Sequence, residues 1–463
     1  MSERTHVFQP PKGTRDFYPA DMALRRHIEQ IWREVSINHG FEEIDGPTFE
    51  HLDLYTVKSG DEIVSQLFRF QREGGDTEYA LRPEFTPTLA RMYAARAGSL
   101  SNPTKWFCIP NFFRAERPQR GRLREFFQWN VDIIGDPSPR ADAEVIATAV
   151  GALEKLKLTQ SDVRILVSHR SSLQRILAGY GFKQTRMTEA FALIDSIEKI
   201  GLTEFRRKAP DFGFADAKWN DFEQLFSLSV DAATTAINYP HPDAPFQPSD
   251  WGMHELDALH KELNRLGLLG RCRYVPLLSR GLAYYTGVVF EVREATGKER
   301  AIAGGGRYDG LIELYGGPPT PAVGFAMGDV VIRLVLEDKG LLQKPEEYLP
   351  RPDVFVISSG DDLAEKEFTP LVALLRREGL HVRHSYRATK NVGKLLGEAS
   401  KARARFAVIL GRELDSGNVI VKDLESGAQN PFSLAEISSS IRTLVEARRA
   451  AEGGSDHENR PSA

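Results

Sequence analysis

The chain has 463 residues, 41 % of them apolar and 27 % charged, with a formal net charge of −4. That length exceeds one ordinary core and predicts two or three domains, while the small negative charge argues against a generally basic nucleic-acid binder, so any such partner needs a local basic patch. Two cysteines, Cys108 and Cys272, exclude a disulfide framework and fit a reducing compartment. Apolar runs fall short of the roughly 20 residues that cross a bilayer, and MSERTHVFQPPKG lacks the apolar core of a secretory signal, so a cytoplasmic protein without membrane contact is expected.

In chain order, KGTRDFYP leads into a helix expected over 21–39. Leu24, Ile28, Ile31, Trp32 and Val35 fall at helical spacing, Asp21 can cap the start and Gly40 can end it. The segment FEEIDGPTFEHLDLY carries Pro47, which has no amide to give a sheet ladder and suits an edge or a strand end. Residues 78–93, EYALRPEFTPTLARMY, read as a strand, a turn and a helix with Thr86 as N-cap and Pro87 at the first helical position. Glu84 sits at that junction, where a carboxylate can receive an ammonium group or simply favour the helix N-terminus.

Residues 106–134 are the centre of the sequence, read as two strands joined by a loop containing Arg114, Arg117, Arg120, Arg122 and Arg124. Beyond the loop, Phe127, Trp129, Val131 and Ile133 point one way, and Phe126, Gln128, Asn130, Asp132 and Ile134 the other. Gln128 and Asp132 therefore share a face two pleats apart, about 13 Å at roughly 3.3 Å per residue. Bulky aromatics on one side bespeak a buried strand, where an unpaired amide or carboxylate is costly; the polar face therefore predicts a lined cavity. Guanidinium groups curling over its open end would suit phosphate oxygens.

From about 160 to 270 the motifs disappear and residues 186–237 read as largely helical, predicting an inserted helical module over 161–269. Its Asp211-Phe212-Gly213 is a triplet that recurs by chance, and the other parts of a protein-kinase signature are missing. LSRGLAYYTGVVFE and AIAGGGRYDGLIELYGG read as strands with a glycine-rich connection, in which Gly304, Gly305 and Gly306 admit close approach of another group. After a boundary near 342–352, strand and helix alternate through DVFVISSG, LHVRHSYR and FAVILGREL, predicting a small α/β domain over 350–445. Between Arg376 and Arg412 ten Lys or Arg face only Glu378 and Glu398, a surplus suited to phosphate binding. The tail from 446 to 463 is expected to be disordered.

FRAERPQRGRLREFFQ resembles the second signature motif of class II aminoacyl-tRNA synthetases, in the form found in histidyl-tRNA synthetases. The two stretches around Tyr284 and the triple glycine resemble that family's histidine-specific signatures, and the 350–445 region its anticodon-binding domain. The helix and strand near Pro47 resemble the first class II motif, which builds a dimer interface in that family; periodicity alone describes an ordinary core helix. The resemblance implies an α+β fold: an antiparallel sheet flanked by helices over 1–160 and 270–342, the helical insertion, and the C-terminal domain. It implies a ligase that joins L-histidine to ATP with Mg²⁺, without a dedicated protein metal cage, and charges tRNA(His) as a homodimer.

By the same resemblance Arg280 and Arg114 contact the α-phosphate, and Arg122 reaches the outer phosphates. Glu84, Thr86, Gln128 and Asp132 hold the ammonium and the imidazole, Tyr284 and Tyr285 line the histidine pocket, and Tyr308 closes it. Two positions depart from the family pattern. Ala283 stands where an aspartate is common, and Val331 where the third motif usually carries an arginine. Arg333 lies two residues later, about 200° around a helix. Non-catalytic relatives, a histidyl-tRNA sensor or the regulatory subunit of ATP phosphoribosyltransferase, are the alternatives; retention of Arg114, Gln128, Asp132 and Arg280 argues against them.

Overall fold

The computed structural model describes residues 8–57, 64–234, 254–279, 284–387 and 389–458. The chain divides into two units, Met1–Tyr348 and Leu349–Ala463.

The first unit is built on strands β1 (Glu42–Glu43), β2 (Phe49–His51), β3 (Arg69–Gln71), β4 (Glu78–Leu81), β5 (Thr104–Cys108), β6 (Asn111–Phe113), β7 (Glu125–Ile134), β8 (Val163–His169), β9 (Cys272–Tyr274), β10 (Val288–Glu294), β11 (Ala303–Arg307) and β12 (Ala322–Gly328). Among the described residues nine strands form one sheet in the order β1-β5-β7-β12-β11-β10-β8-β9, with β6 paired to β7, and β2-β4-β3 form a small second sheet. The pairs inside the large sheet are antiparallel; only its two edge pairs, β1 with β5 and β8 with β9, are parallel.

One face of the large sheet is covered by the helices Pro19–Asn38 and Pro139–Lys155. The first begins at Pro19, whose fixed φ suits the opening turn, and ends before Gly40 at φ +75°. Its Leu24, Ile28, Ile31, Trp32 and Val35 are the buried stripe that the spacing predicts. Trp32 stacks on Trp129 of β7 with ring centroids 5.9 Å apart, and Trp129 Nε1 donates to Ser36 Oγ at 2.9 Å. Burying one such indole stabilises by about 4 kcal/mol. The polar side of β7 thereby faces away from this core, which is what opens it to a cavity.

The helices Arg170–Gly179, Met187–Lys208 and Trp219–Thr234 have a core of their own around Phe205, Phe214 and Phe222. Of the segment expected as an insertion over 161–269, residues 235–253 lie outside the described residues, and both ends pack with the large sheet. β8 pairs with β10 over seven residues, and Leu256, Leu259 and Leu263 of the helix His254–Arg265 join the main core. Both segments are short apolar patterns without a motif, so composition could not assign them to the sheet. Gly213 of the Asp-Phe-Gly triplet stands at φ +103° in close approach to Gly181, a packing role.

The second unit carries a mixed sheet, β14-β13-β15-β16-β17, formed by β13 (Val354–Ser358), β14 (Val382–His384), β15 (Phe406–Leu410), β16 (Asn418–Asp423) and β17 (Gln429–Ser433). Of the tail expected to be disordered, residues 446–458 belong to the last helix, Ile437–Glu458, and 459–463 lie outside the described residues. Ion pairs hold it: Arg449 reaches Asp353 at 2.6 Å, and Glu452 meets Arg351 at 2.7 Å and Arg405. Arg405, counted in the basic surplus, is thus spent on Asp353 and Glu452, and Arg387 pairs with Glu398.

Candidate active site

A cavity of about 1320 Å³ opens over the polar face of β7, and Gln128, Asn130 and Asp132 line it. Asp132 is 5 % exposed and accepts a hydrogen bond of 2.5 Å from Tyr308 Oη. Burial pushes its carboxyl up to about 7 against the pull of that hydrogen bond. Burial and the adjacent Asp132 raise the Tyr308 phenol well above its ordinary value, so it stays a donor. Directly across the ladder stands Gly324 of β12, where a Cβ would lie 1.9 Å from Asp132 Oδ1. A glycine is what lets the carboxyl occupy this position.

Glu84 lies on the turn between β4 and the helix Thr86–Ala94 and accepts from Tyr284 Oη at 3.0 Å. Tyr284 packs edge-on against Tyr308, centroids 5.9 Å apart, and lies 5.1 Å from Tyr285. Three buried rings and two carboxyls thus form one wall of the cavity, with Thr86 beside them. Thr86 is the first helical residue and Phe85 holds the N-cap position, a shift of one from the expected cap. Gly305 and Gly306 also serve packing: a Cβ on the first would lie 2.2 Å from Gly324 O, and on the second 2.9 Å from the Tyr285 ring. They belong to β11 rather than to a connection, and residues 284–287 are not strand, because Tyr284 and Tyr285 turn into the cavity.

Four of the five arginines of the 114–124 loop separate into two groups, and the fifth, Arg117, is not part of the cavity lining. Arg114 and Arg122 line the cavity. Arg114 Nε donates to Pro83 O at 3.0 Å and its guanidinium lies 5.2 Å from the Phe126 ring centre, which fixes its plane. Burial pushes its pKa down, opposed by Glu84 and Glu116, so it is a desolvated cation facing a space large enough for an anion. Arg122 pairs with Glu116 at 2.6 Å. Arg120 and Arg124 are turned elsewhere, the first to Glu299 and Asp338 and the second to Glu116 O, so they do not curl over the opening.

A family model described as Histidyl-tRNA synthetase matches residues 13–329, and one described as Anticodon binding domain matches 353–444. The chain belongs to the histidyl-tRNA synthetase family. It is 36 % identical to the Histidine--tRNA ligase of Opitutus terrae over 94 % of this chain and 98 % of that one. It is 39 % identical to the Histidine--tRNA ligase of Halobacterium salinarum over 92 % and 95 %. In fold it resembles a histidyl-tRNA synthetase from Nostoc sp. PCC 7120, with a TM-score of 0.72 at 23 % identity, covering 95 % and 100 %.

Within this family frame, Arg280 and Ala283 lie outside the described residues. Val331 lines the cavity, whereas Arg333 bonds Glu337 at 2.8 Å and lies 3.6 Å from Asp21, so it does not take the third-motif position. Asp329, which sequence reasoning passed over, accepts from the Phe127 amide at 2.9 Å and pairs with Arg15 of the KGTRDFYP segment at 2.7 Å. An acidic residue at a strand-to-helix junction was the available signal.

Proposed function

We propose that this chain activates L-histidine with ATP, forming histidyl adenylate and pyrophosphate, and passes the histidyl group to the 3′ end of tRNA(His). The observation that carries this reading is the Asp132–Tyr308 pair at one end of the cavity, with the Glu84–Tyr284 pair on the same wall. Two carboxyls in an aromatic enclosure can meet the two polar groups of histidine, Glu84 with Thr86 and Gln128 taking the ammonium, and Asp132 the imidazole. Tyr284 and Tyr285 flank the ring and Tyr308 closes over it.

The substrate carboxylate is itself the nucleophile, and in-line attack on the α-phosphate releases pyrophosphate. The protein has to orient and neutralise. Arg114, already desolvated and held by Pro83 O, meets charge on the α-phosphate without reorganising. Arg280 shares that task, and Arg122 reaches the outer phosphates by exchanging Glu116 for them. Among the described residues no group of three His, Cys, Asp or Glu could hold a metal. Mg²⁺ would come with the ATP and would supply charge neutralisation at its phosphates, without a dedicated protein cage. The second unit is the candidate tRNA anticodon contact, and a cytoplasmic homodimer completes the reading.

Pyrophosphate exchange into ATP, run with each common amino acid in turn at saturating magnesium and without tRNA, tests it. Exchange with histidine alone is expected, and Arg280→Ala should lower it with little loss of fold. Absence of exchange from folded protein would favour a non-catalytic relative, such as the sensor or the regulatory subunit.

A further inference from the structure

On the paired strands β7 and β12, Asp132 stands opposite Gly324 and Gln128 opposite Gly328. The two ends of this cavity floor are therefore four residues apart, about 13 Å at roughly 3.3 Å per residue. The Asp132 end is a closed polar pocket. The Gly328 end is built differently, from Gly121, Val331 and Arg300, all of which line the cavity. Gly121 has φ +74°, and a Cβ built on it would lie 3.4 Å from Arg300 Cδ and 3.5 Å from Val331 Cγ2. A branched apolar side chain and the stem of a guanidinium thus both border the space beside the Gly121 backbone.

Ion pairs hold that meeting point together. Arg120 reaches Glu299 at 2.6 Å and Asp338 at 3.3 Å, and Lys298 reaches Asp338 at 2.7 Å. They tie the arginine-rich loop to the turn after β10 and to the end of the helix Asp329–Asp338. Arg300 directly follows the tethered and buried Glu299, so its backbone is fixed where its side chain can reach over Val331. The helix Asp329–Asp338 contains one arginine, Arg333, and that is committed to Glu337 and Asp21.

Resting on the proposed activation reaction, we infer that Arg300 positions the adenine ring of ATP, its planar guanidinium lying on one face of the purine, with Val331 and Gly121 forming the apolar edge of the slot. A guanidinium stacks on an aromatic plane through both its flat surface and its charge, and a lysine ammonium cannot reproduce the flat contact. The distance from the Asp132 pocket leaves room for the histidine and the α-phosphate between the two ends. Arg300 is exposed at its outer side, so its replacement leaves the core intact.

The test uses the full chain. Isothermal titration with ATP and, separately, with inorganic tripolyphosphate compares wild type, Arg300→Ala and Arg300→Lys, and histidine-dependent pyrophosphate exchange supplies the KM values. Arg300→Ala is expected to weaken ATP binding and raise the KM for ATP about tenfold. Tripolyphosphate binding and the KM for histidine should stay within about twofold, and Arg300→Lys should not recover the loss. Equal weakening of tripolyphosphate, full recovery by lysine, or an unchanged ATP affinity would each overturn the adenine assignment. Failure of the wild type to exchange would instead sink the proposed reaction, while the two titrations would still decide what Arg300 touches.

Discussion

Tyr308 Oη donates to Asp132 Oδ1 at 2.5 Å, and neither residue is more than 5 % exposed. In the proposed reaction this pair sets both the affinity and the pH response of the end of the cavity that takes the imidazole. Asp132→Asn should raise the KM for histidine by about 10- to 100-fold with a smaller effect on kcat, since a charge-assisted hydrogen bond in a dry site is worth roughly 1.5–3 kcal/mol. Steady-state exchange kinetics at several histidine concentrations measure this.

The same carboxyl predicts a pH dependence of folding. Its folded-state pKa is about 7. The unfolded value lies near 4, so between those pH values the folded chain holds a proton that the unfolded chain has lost. The contribution to stability is complete below about pH 4 and falls as pH rises through about 7. Relative to Asp132→Asn, wild type should lose about 1.4 kcal/mol per pH unit across that window. Urea unfolding of both proteins at pH 5 and pH 7 reads the difference, and a constant gap would return Asp132 to an ordinary carboxylate.

Tyr284 and Glu84 form the second pair, 3.0 Å apart. Glu84→Gln keeps the shape and removes the charge that the ammonium group would meet. The KM for histidine should rise by about tenfold or more. Histidinol keeps the ammonium and lacks the carboxylate, so its inhibition constant should rise by a similar factor; an unchanged constant would leave Glu84 with only its helix N-terminus to stabilise.

Much of this site was legible because β7 writes its two environments in alternation. Trp129 and Val131 announce a buried face, and Gln128 and Asp132 on the reverse are too costly there without a cavity. The aromatic enclosure followed from Tyr284, Tyr285 and Tyr308 through family resemblance, since nothing in their spacing brings Tyr308 to Asp132 across 176 residues. Distant pairings were the invisible part. Arg120 with Glu299, Arg15 with Asp329 and β8 with β10 all depend on which strands become neighbours. The loop arginines therefore looked like one phosphate cluster, although only Arg114 and Arg122 face the cavity. The last helix was missed for the same reason, its Arg449 being fixed by Asp353 almost a hundred residues earlier.

Gly324 is a position that the sequence did not single out. A methyl group there would lie 1.9 Å from Asp132 Oδ1 and 2.7 Å from Val131 O, and the backbone oxygen cannot yield as a side chain could. Gly324→Ala should cost about 1–3 kcal/mol of stability and displace the carboxyl. The KM for histidine should then rise at least as far as in Asp132→Asn, while ATP binding is spared. A variant with normal histidine kinetics would show that Asp132 has other room.

Arg307 and Asp142 are a buried pair one residue from Tyr308, with Arg307 Nε 3.0 Å from Asp142 Oδ1 and a second bond of 3.0 Å from the guanidinium to Oδ2. The guanidinium also donates to Asp136 O at 3.0 Å and Ser138 O at 3.1 Å, so every side of it is occupied by oxygen. It ties the end of β11 to the start of the helix Pro139–Lys155, and the next residue delivers its phenol to Asp132. Asp142→Ala leaves the buried guanidinium only the weaker pair with the more exposed Asp309 at 3.3 Å and should destabilise the first unit by about 3 kcal/mol, whereas Asp142→Ala combined with Arg307→Met removes the poorly paired charge and should recover part of the loss. Urea unfolding reads the stability. The two variants should separate in kinetics: if Arg307 positions Tyr308, the double variant stays poor in histidine KM even where its stability returns, and a KM that recovers in step with stability would make the pair purely structural.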